Sequence, residues 1–120
     1  MMKRYFIMIV LCVLLASIEV ASADSLDGVW TINHCGGTYN IEFSKNAEGG
    51  FSGRYIGIDN SSMFDGKYYP GRGKTIVNFI QRHADKDYYA AYVGFLSGNK
   101  VEGILYDVSA YKCNFTMNRK

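Results

Sequence analysis

Apolar and polar residues alternate along most of this chain with a period of two. Tyr39, Ile41 and Phe43 alternate with Asn40, Glu42 and Ser44, and Phe51, Gly53, Tyr55 and Gly57 repeat the pattern after a polar turn ending in Gly49-Gly50. Such alternation marks strands with one buried face. It predicts eight of them, at about 28–34, 38–44, 51–58, 62–69, 74–82, 88–96, 100–107 and 111–118. The links are short and rich in Gly, Asn and Asp, which supply the positive φ angles of hairpin turns. Parallel crossovers need a dozen or more connecting residues, so the connectivity must be mainly an antiparallel meander. A meander leaves two exposed edges or closes on itself. No stretch beyond Asp24 carries apolar residues at helical spacing over several turns.

The first residues follow a different pattern. Lys3 and Arg4 precede an unbroken apolar run, Phe6–Ala16, and Ala21-Ser22-Ala23 offers a small-residue cleavage site. This is the arrangement of a secretory signal peptide, with an apolar core too short to span a bilayer. Residues 1–23 are therefore expected to be a leader cleaved before Asp24. Residues 24–120 then form one domain, secreted or periplasmic, with no membrane attachment after cleavage.

Removing the leader removes Cys12 and leaves Cys35 and Cys113, an even pair that in an exported protein favours a disulfide. Two buried free thiols are the alternative. The pair also bears on closure. In an eight-strand up-and-down barrel the first and last strands are antiparallel neighbours. Cys35 at the end of the first then meets Cys113 at the start of the last. A bridge there would tie a loop of nearly the whole domain, worth at most about 4 kcal/mol by chain entropy. The expected fold is thus all-β, a small antiparallel up-and-down barrel of about eight strands with one disulfide. A two-sheet sandwich is the rival, although sandwiches usually need longer connections.

Composition narrows the chemistry. The chain carries a net charge of +2 with no basic stripe, so nucleic-acid binding has no electrostatic support. His34, His83 and the two cysteines lack the close spacing of a metal site, and no cofactor is expected. Gly71-Arg72-Gly73-Lys74-Thr75 resembles part of a phosphate loop, but Tyr68 stands where its first glycine belongs. Gly50-Phe51-Ser52-Gly53 resembles a nucleophile elbow, but Arg54 stands where its closing glycine belongs. No enzyme is expected. Asn60-Ser61-Ser62 and Asn114-Phe115-Thr116 match the glycosylation acceptor pattern.

Read in order, several pieces resemble the avidin/streptavidin family of exported, biotin-binding eight-strand barrels. Leu26-Asp27-Gly28-Val29-Trp30-Thr31 is similar to the family's Leu-x-Gly-x-Trp opening, and Phe51-Ser52-Gly53-Arg54-Tyr55 to its Phe-x-Gly-x-Tyr strand. Val77-Asn78-Phe79 and Tyr111-Lys112 fall where members often carry tryptophan. The resemblance implies a ligand site in the barrel mouth. It places Tyr55 on the ligand carbonyl, Asn33 and Thr38 beside it, and Phe79, Tyr106 and Tyr111 on the wall. It also implies a homo-oligomer. Ile32 and Gly57 depart from the polar ring that reads biotin, and the wall tryptophans are absent, which argues against very tight biotin binding.

The residues add their own evidence for a pocket. Tyr39, Tyr55, Tyr88 and Tyr92 are expected to point inward, interspersed with Gly53, Gly57, Ala90 and Gly94. Small residues beside phenols leave space with polar tips; the alternative is that the tyrosines fill the lumen. The functional expectation is an exported barrel binding a small molecule. The alternative is an exported interaction module, such as a hydrolase inhibitor, acting through Tyr68–Lys74.

Overall fold

The computed structural model describes residues 25–58, 62–84 and 87–120. The expected leader, the Asn60 acceptor pattern and part of the turn around Lys86 lie outside these residues. Eight strands form a closed antiparallel barrel: β1 (Gly28–His34), β2 (Gly37–Lys45), β3 (Phe51–Ile56), β4 (Ser62–Pro70), β5 (Thr75–His83), β6 (Tyr89–Ser97), β7 (Lys100–Asp107) and β8 (Lys112–Arg119). Each pairs with the next, and β8 returns to β1. The up-and-down barrel, rather than the sandwich, is the fold. The third strand is shorter than expected because Gly57 leaves it in a left-handed turn at φ +77°.

The β1–β8 seam runs from Trp30 opposite Arg119 to Asn33 opposite Thr116. Beyond that ladder the Cys35–Cys113 disulfide holds the two strands, with Cα atoms 6.0 Å apart and a sequence separation of 78. The covalent staple therefore sits where the backbone ladder has ended.

One end of the barrel is sealed. Trp30 is fully buried and its indole N–H donates to the Leu26 carbonyl at 2.9 Å. The Arg119 guanidinium lies 4.4 Å from the Trp30 ring centroid and donates to the carbonyls of Asp27 and Ser25, each at 2.7 Å. The Tyr68 hydroxyl accepts from the Leu26 N–H at 2.8 Å. Strand, leading segment and last strand are thus tied together across the lumen.

The middle of the barrel is a phenylalanine core. Phe43, Phe51, Phe64, Phe79 and Phe115 are buried and pack mostly edge-to-face, at centroid separations of 5.5–6.1 Å, the geometry favoured by ring quadrupoles. These rings cover Gly53 and Gly94, which were expected to leave open space, whereas Gly57, expected inward with them, is exposed beyond the end of β3. A Cβ on Gly53 would meet the Phe43 ring at 2.6 Å, and one on Gly94 would meet Phe115 at 3.1 Å. Gly103, opposite Gly94, approaches the Val93 carbonyl too closely for any side chain. Alternation identifies an inward glycine but says nothing of which ring lies over it. An eight-strand barrel is narrow enough for side chains to fill, and through its middle this one is filled.

Candidate functional site

Above the phenylalanine tier the lumen opens. The ends of β1, β3, β5 and β7 and the starts of β2, β4, β6 and β8 surround a cavity of about 470 Å³, lined by Tyr39, Tyr55, Tyr88, Tyr92, Tyr111, His34, His83, Ser62, Gln81, Leu105 and Asp107, together with the disulfide's Cys35. Larger hollows exist on the outside, including one of about 610 Å³ beneath the β2–β3 turn, lined mainly by outward-facing positions.

Gln81 organises the floor. It is buried because it continues the inward parity of Val77 and Phe79 on β5. The Tyr92 hydroxyl donates to its Oε1 at 2.7 Å. Its Nε2 then donates to the Tyr55 hydroxyl oxygen at 3.1 Å and to the Ser62 Oγ at 3.2 Å. Both amide hydrogens are used and the carbonyl is occupied, so a buried polar residue is satisfied. Beneath it, Tyr92 stacks on Phe79 at 4.6 Å and 9°, and Tyr55 meets Phe64 edge-on at 5.1 Å.

This direction of donation has a chemical consequence for Tyr55. Its oxygen accepts from Gln81, and its own hydrogen has no acceptor among the described residues. Burial pushes its pKa up to about 12, with smaller contributions from Tyr39 and Tyr88. Burial moves Tyr92 further in the same direction. Both phenols therefore remain protonated at neutral pH, and Tyr55 presents an O–H donor at the cavity floor.

The wall continues through Tyr39, whose ring lies 5.2 Å from Tyr55 and 5.6 Å from His34. The Tyr39 hydroxyl donates to the Gly36 carbonyl at 3.0 Å. The Gly36 N–H donates to His34 Nδ1 at 2.9 Å, which places the neutral imidazole's proton on Nε2. That Nε2 is buried and has no partner among the described residues, and burial lowers the His34 pKa. At the rim, Asp107 Oδ1 accepts from the backbone N–H groups of Ser109 and Tyr111 at 2.9 and 3.0 Å, an Asx-type turn that fixes the carboxylate.

Of the site residues expected from sequence, the cavity brings together Tyr55 and Tyr111. The other four lie elsewhere. Asn33 and Thr38 face outward opposite one another on β1 and β2, where the Thr38 hydroxyl donates to the Asn33 side chain. Tyr106 is exposed on the outer face of β7. Phe79 points inward but is fully buried one tier below the cavity. Parity explains these placements: Trp30 and Ile32 face in, so Asn33 faces out, and Leu105 inward puts Tyr106 outward. Gln81 and Ser62 escaped sequence reading, although a polar residue in phase with Phe79 was a usable signal. Among the described residues no group of three or more His, Cys, Asp or Glu side chains could hold a metal ion, and no helix is long and apolar enough to cross a membrane.

The loop expected to carry a partner-binding pair is divided. Tyr68 turns inward to cap the sealed end, whereas Tyr69 is exposed. The exposed apolar side chains cluster instead on the outer face of β5–β7, where Val93 lies opposite Ile104, Phe95 opposite Ile76, and Ala91 opposite Tyr106. Compared with known proteins, the chain matches no family model, no curated protein and no solved structure.

Proposed function

We propose that this chain is an exported, non-catalytic protein that binds a small molecule in the barrel mouth. The observation that carries the reading is the Tyr55 hydroxyl, which accepts from Gln81 and has no acceptor for its own proton among the described residues, at the floor of a tyrosine-lined cavity above a filled core. A pocket with apolar walls and few fixed polar groups is the usual form of a small-molecule site. The tier of Phe64 and Phe79 sets the depth, so a ligand of modest size enters from the mouth and stops there. The disulfide supports an oxidising compartment. An avidin-like ancestry fits the closed barrel and the place of Tyr55 in it. Biotin fits poorly, because Asn33 and Thr38 face solvent and Asp107 stands at the rim where a carboxylate tail would emerge.

Thermal-shift screening of the purified protein against small aromatic amides and biotin tests the reading. Amides should raise Tm in wild type and raise it markedly less in Tyr55→Phe. Absence of any stabilising compound, or equal shifts in both proteins, would contradict it.

A second reading rests on the outer face of β5–β7. Ile76, Ile80, Ala91, Val93, Phe95, Ile104 and Tyr106 share that face, with Glu102 opposite Phe95 and Arg82 at its margin. A second copy of this chain presents the same exposed apolar patch and would cover it. Sedimentation analysis tests this, with a dimer in wild type and a monomer in Val93→Glu as the expected result.

A further inference from the structure

We propose that the barrel mouth selects an organic cation, with its ammonium group at the Asp107 carboxylate, its apolar body among the tyrosine rings and a hydrogen-bond acceptor at Tyr55. This rests on the proposed role of the mouth and specifies the class of ligand. The inference comes from the hydrogen-bonding and charge capacity that the cavity leaves unused.

At the floor the unused group is a donor, the Tyr55 O–H, and the buried His34 Nε2–H is a second unpaired donor in the lining. At the rim it is an acceptor. Asp107 Oδ1 is engaged by two backbone N–H groups, and its second carboxylate oxygen has no partner among the described residues. The Asx turn holds this carboxylate in place, and Asp107 is only partly exposed, so its charge is less screened than that of a freely solvated side chain. Its influence extends into the cavity: the Tyr88 phenol is held above its ordinary pKa first by burial and then by the Asp107 charge.

The remaining lining agrees in sign. Among the described residues no Lys or Arg lines the cavity. Arg82 and Lys112, next in sequence to the lining residues Gln81 and Tyr111, are exposed and occupy outward register positions opposite Met63 and Tyr106. Phenol rings offer electron-rich faces that attract cations, and five tyrosines surround this mouth. Among the described lining residues an anionic ligand would meet a carboxylate and π-faces without a lysine or arginine as countercharge. A cation meets both as attractive partners. Rim acceptor and floor donor together demand a molecule that is positive at its outer end and carries a carbonyl-type oxygen at its inner end.

Three para-substituted benzamides isolate the rim charge, because they share the ring and the inner carbonyl. They are 4-(aminomethyl)benzamide, 4-methylbenzamide and 4-carboxybenzamide, compared by NMR titration of the purified protein at pH 7. The expected order is cation tightest, neutral weaker by about three- to tenfold, and anion weakest. Asp107→Asn retains an oxygen for the Ser109 and Tyr111 N–H groups, so the turn survives. In that variant the cation's advantage should fall to within about twofold, while the neutral amide keeps its affinity. Tyr55→Phe should weaken all three alike. If the neutral amide binds as well as the cation, or the anion binds best, the charge selection is overturned and binding in the mouth stands. If none of the three perturbs the mouth resonances, both readings fall.

Discussion

Replacing Gln81 with methionine tests whether the cavity floor is the organised network described above. Methionine matches glutamine closely in length and volume, so the substitution removes polarity without opening a cavity. The cost falls on Tyr92. Its side chain is 1% exposed, and its hydroxyl would lose the acceptor it now reaches at 2.7 Å. A buried donor left without a partner costs about 1–3 kcal/mol. Tyr55 loses its donor too, but it faces the open mouth, where water substitutes. The net expectation for Gln81→Met is therefore a loss of about 2 kcal/mol. For a barrel of this size that lowers Tm by about 10 °C.

The double variant Gln81→Met with Tyr92→Phe removes both ends of the strongest hydrogen bond. Its stability should recover to within about 1 kcal/mol of wild type, since apolar replacement of both partners is nearly neutral. Urea unfolding followed by Trp30 fluorescence provides the assay. Trp30 is the single tryptophan, sits at the opposite end of the barrel and reports global unfolding without touching the mutated site. If Gln81→Met lies within about 0.5 kcal/mol of wild type, or the double variant is as destabilised as the single losses added together, Tyr92 does not depend on Gln81 and the floor is not a network.

Three further outcomes follow from the same structure. Replacing Cys35 and Cys113 together by alanine should cost at most about 4 kcal/mol, less any strain relieved, since the loop they close spans most of the barrel; an unchanged urea midpoint would remove the disulfide from the account of the seam. Gly103→Ala should cost about 3 kcal/mol because its Cβ drives into the Val93 carbonyl, whereas Gly57→Ala, with open space but φ +77°, should cost about 1 kcal/mol. Chemical denaturation of both variants separates the two mechanisms. Burial lowers the His34 pKa below its unfolded value of 6.5, so the unfolded state binds the proton first. Stability from this group is complete above about pH 6.5 and is lost as pH falls through the folded pKa. His34→Phe should flatten the acid side of the stability profile, and a profile with the same acid slope would contradict the assignment.

The architecture was legible because it depends on parity and turn chemistry, both local properties of the chain. Eight alternating runs, short Gly- and Asn-containing links, and a cysteine near each end of the meander are sufficient to imply a closed, stapled barrel. The site was less legible, for two separate reasons. Asn33, Thr38 and Tyr106 were placed by resemblance, yet each lies one residue out of phase with buried neighbours, and a one-residue shift moves a side chain through the sheet wall. Phe79 has the right parity but the wrong depth, because depth depends on strand stagger around the barrel, which no single strand reveals. Gln81 was missed although its phase is correct, since an inward glutamine acquires meaning only once Tyr55, Ser62 and Tyr92 from three other strands are beside it. Likewise Gly53 and Gly94 signal space in one strand, and rings from elsewhere occupy it.

The central claim is that ligand enters one end of this barrel while the other is sealed. The most direct test is an amide chemical-shift map recorded while the protein is titrated with 4-(aminomethyl)benzamide. Saturable shifts should appear at Tyr39, Tyr55, Gln81, Tyr88, Asp107 and Tyr111. The Trp30 indole N–H, held by the Leu26 carbonyl at the sealed end, should stay fixed. Unmoved mouth resonances, or a Trp30 indole that shifts as much as Tyr55, would contradict the account.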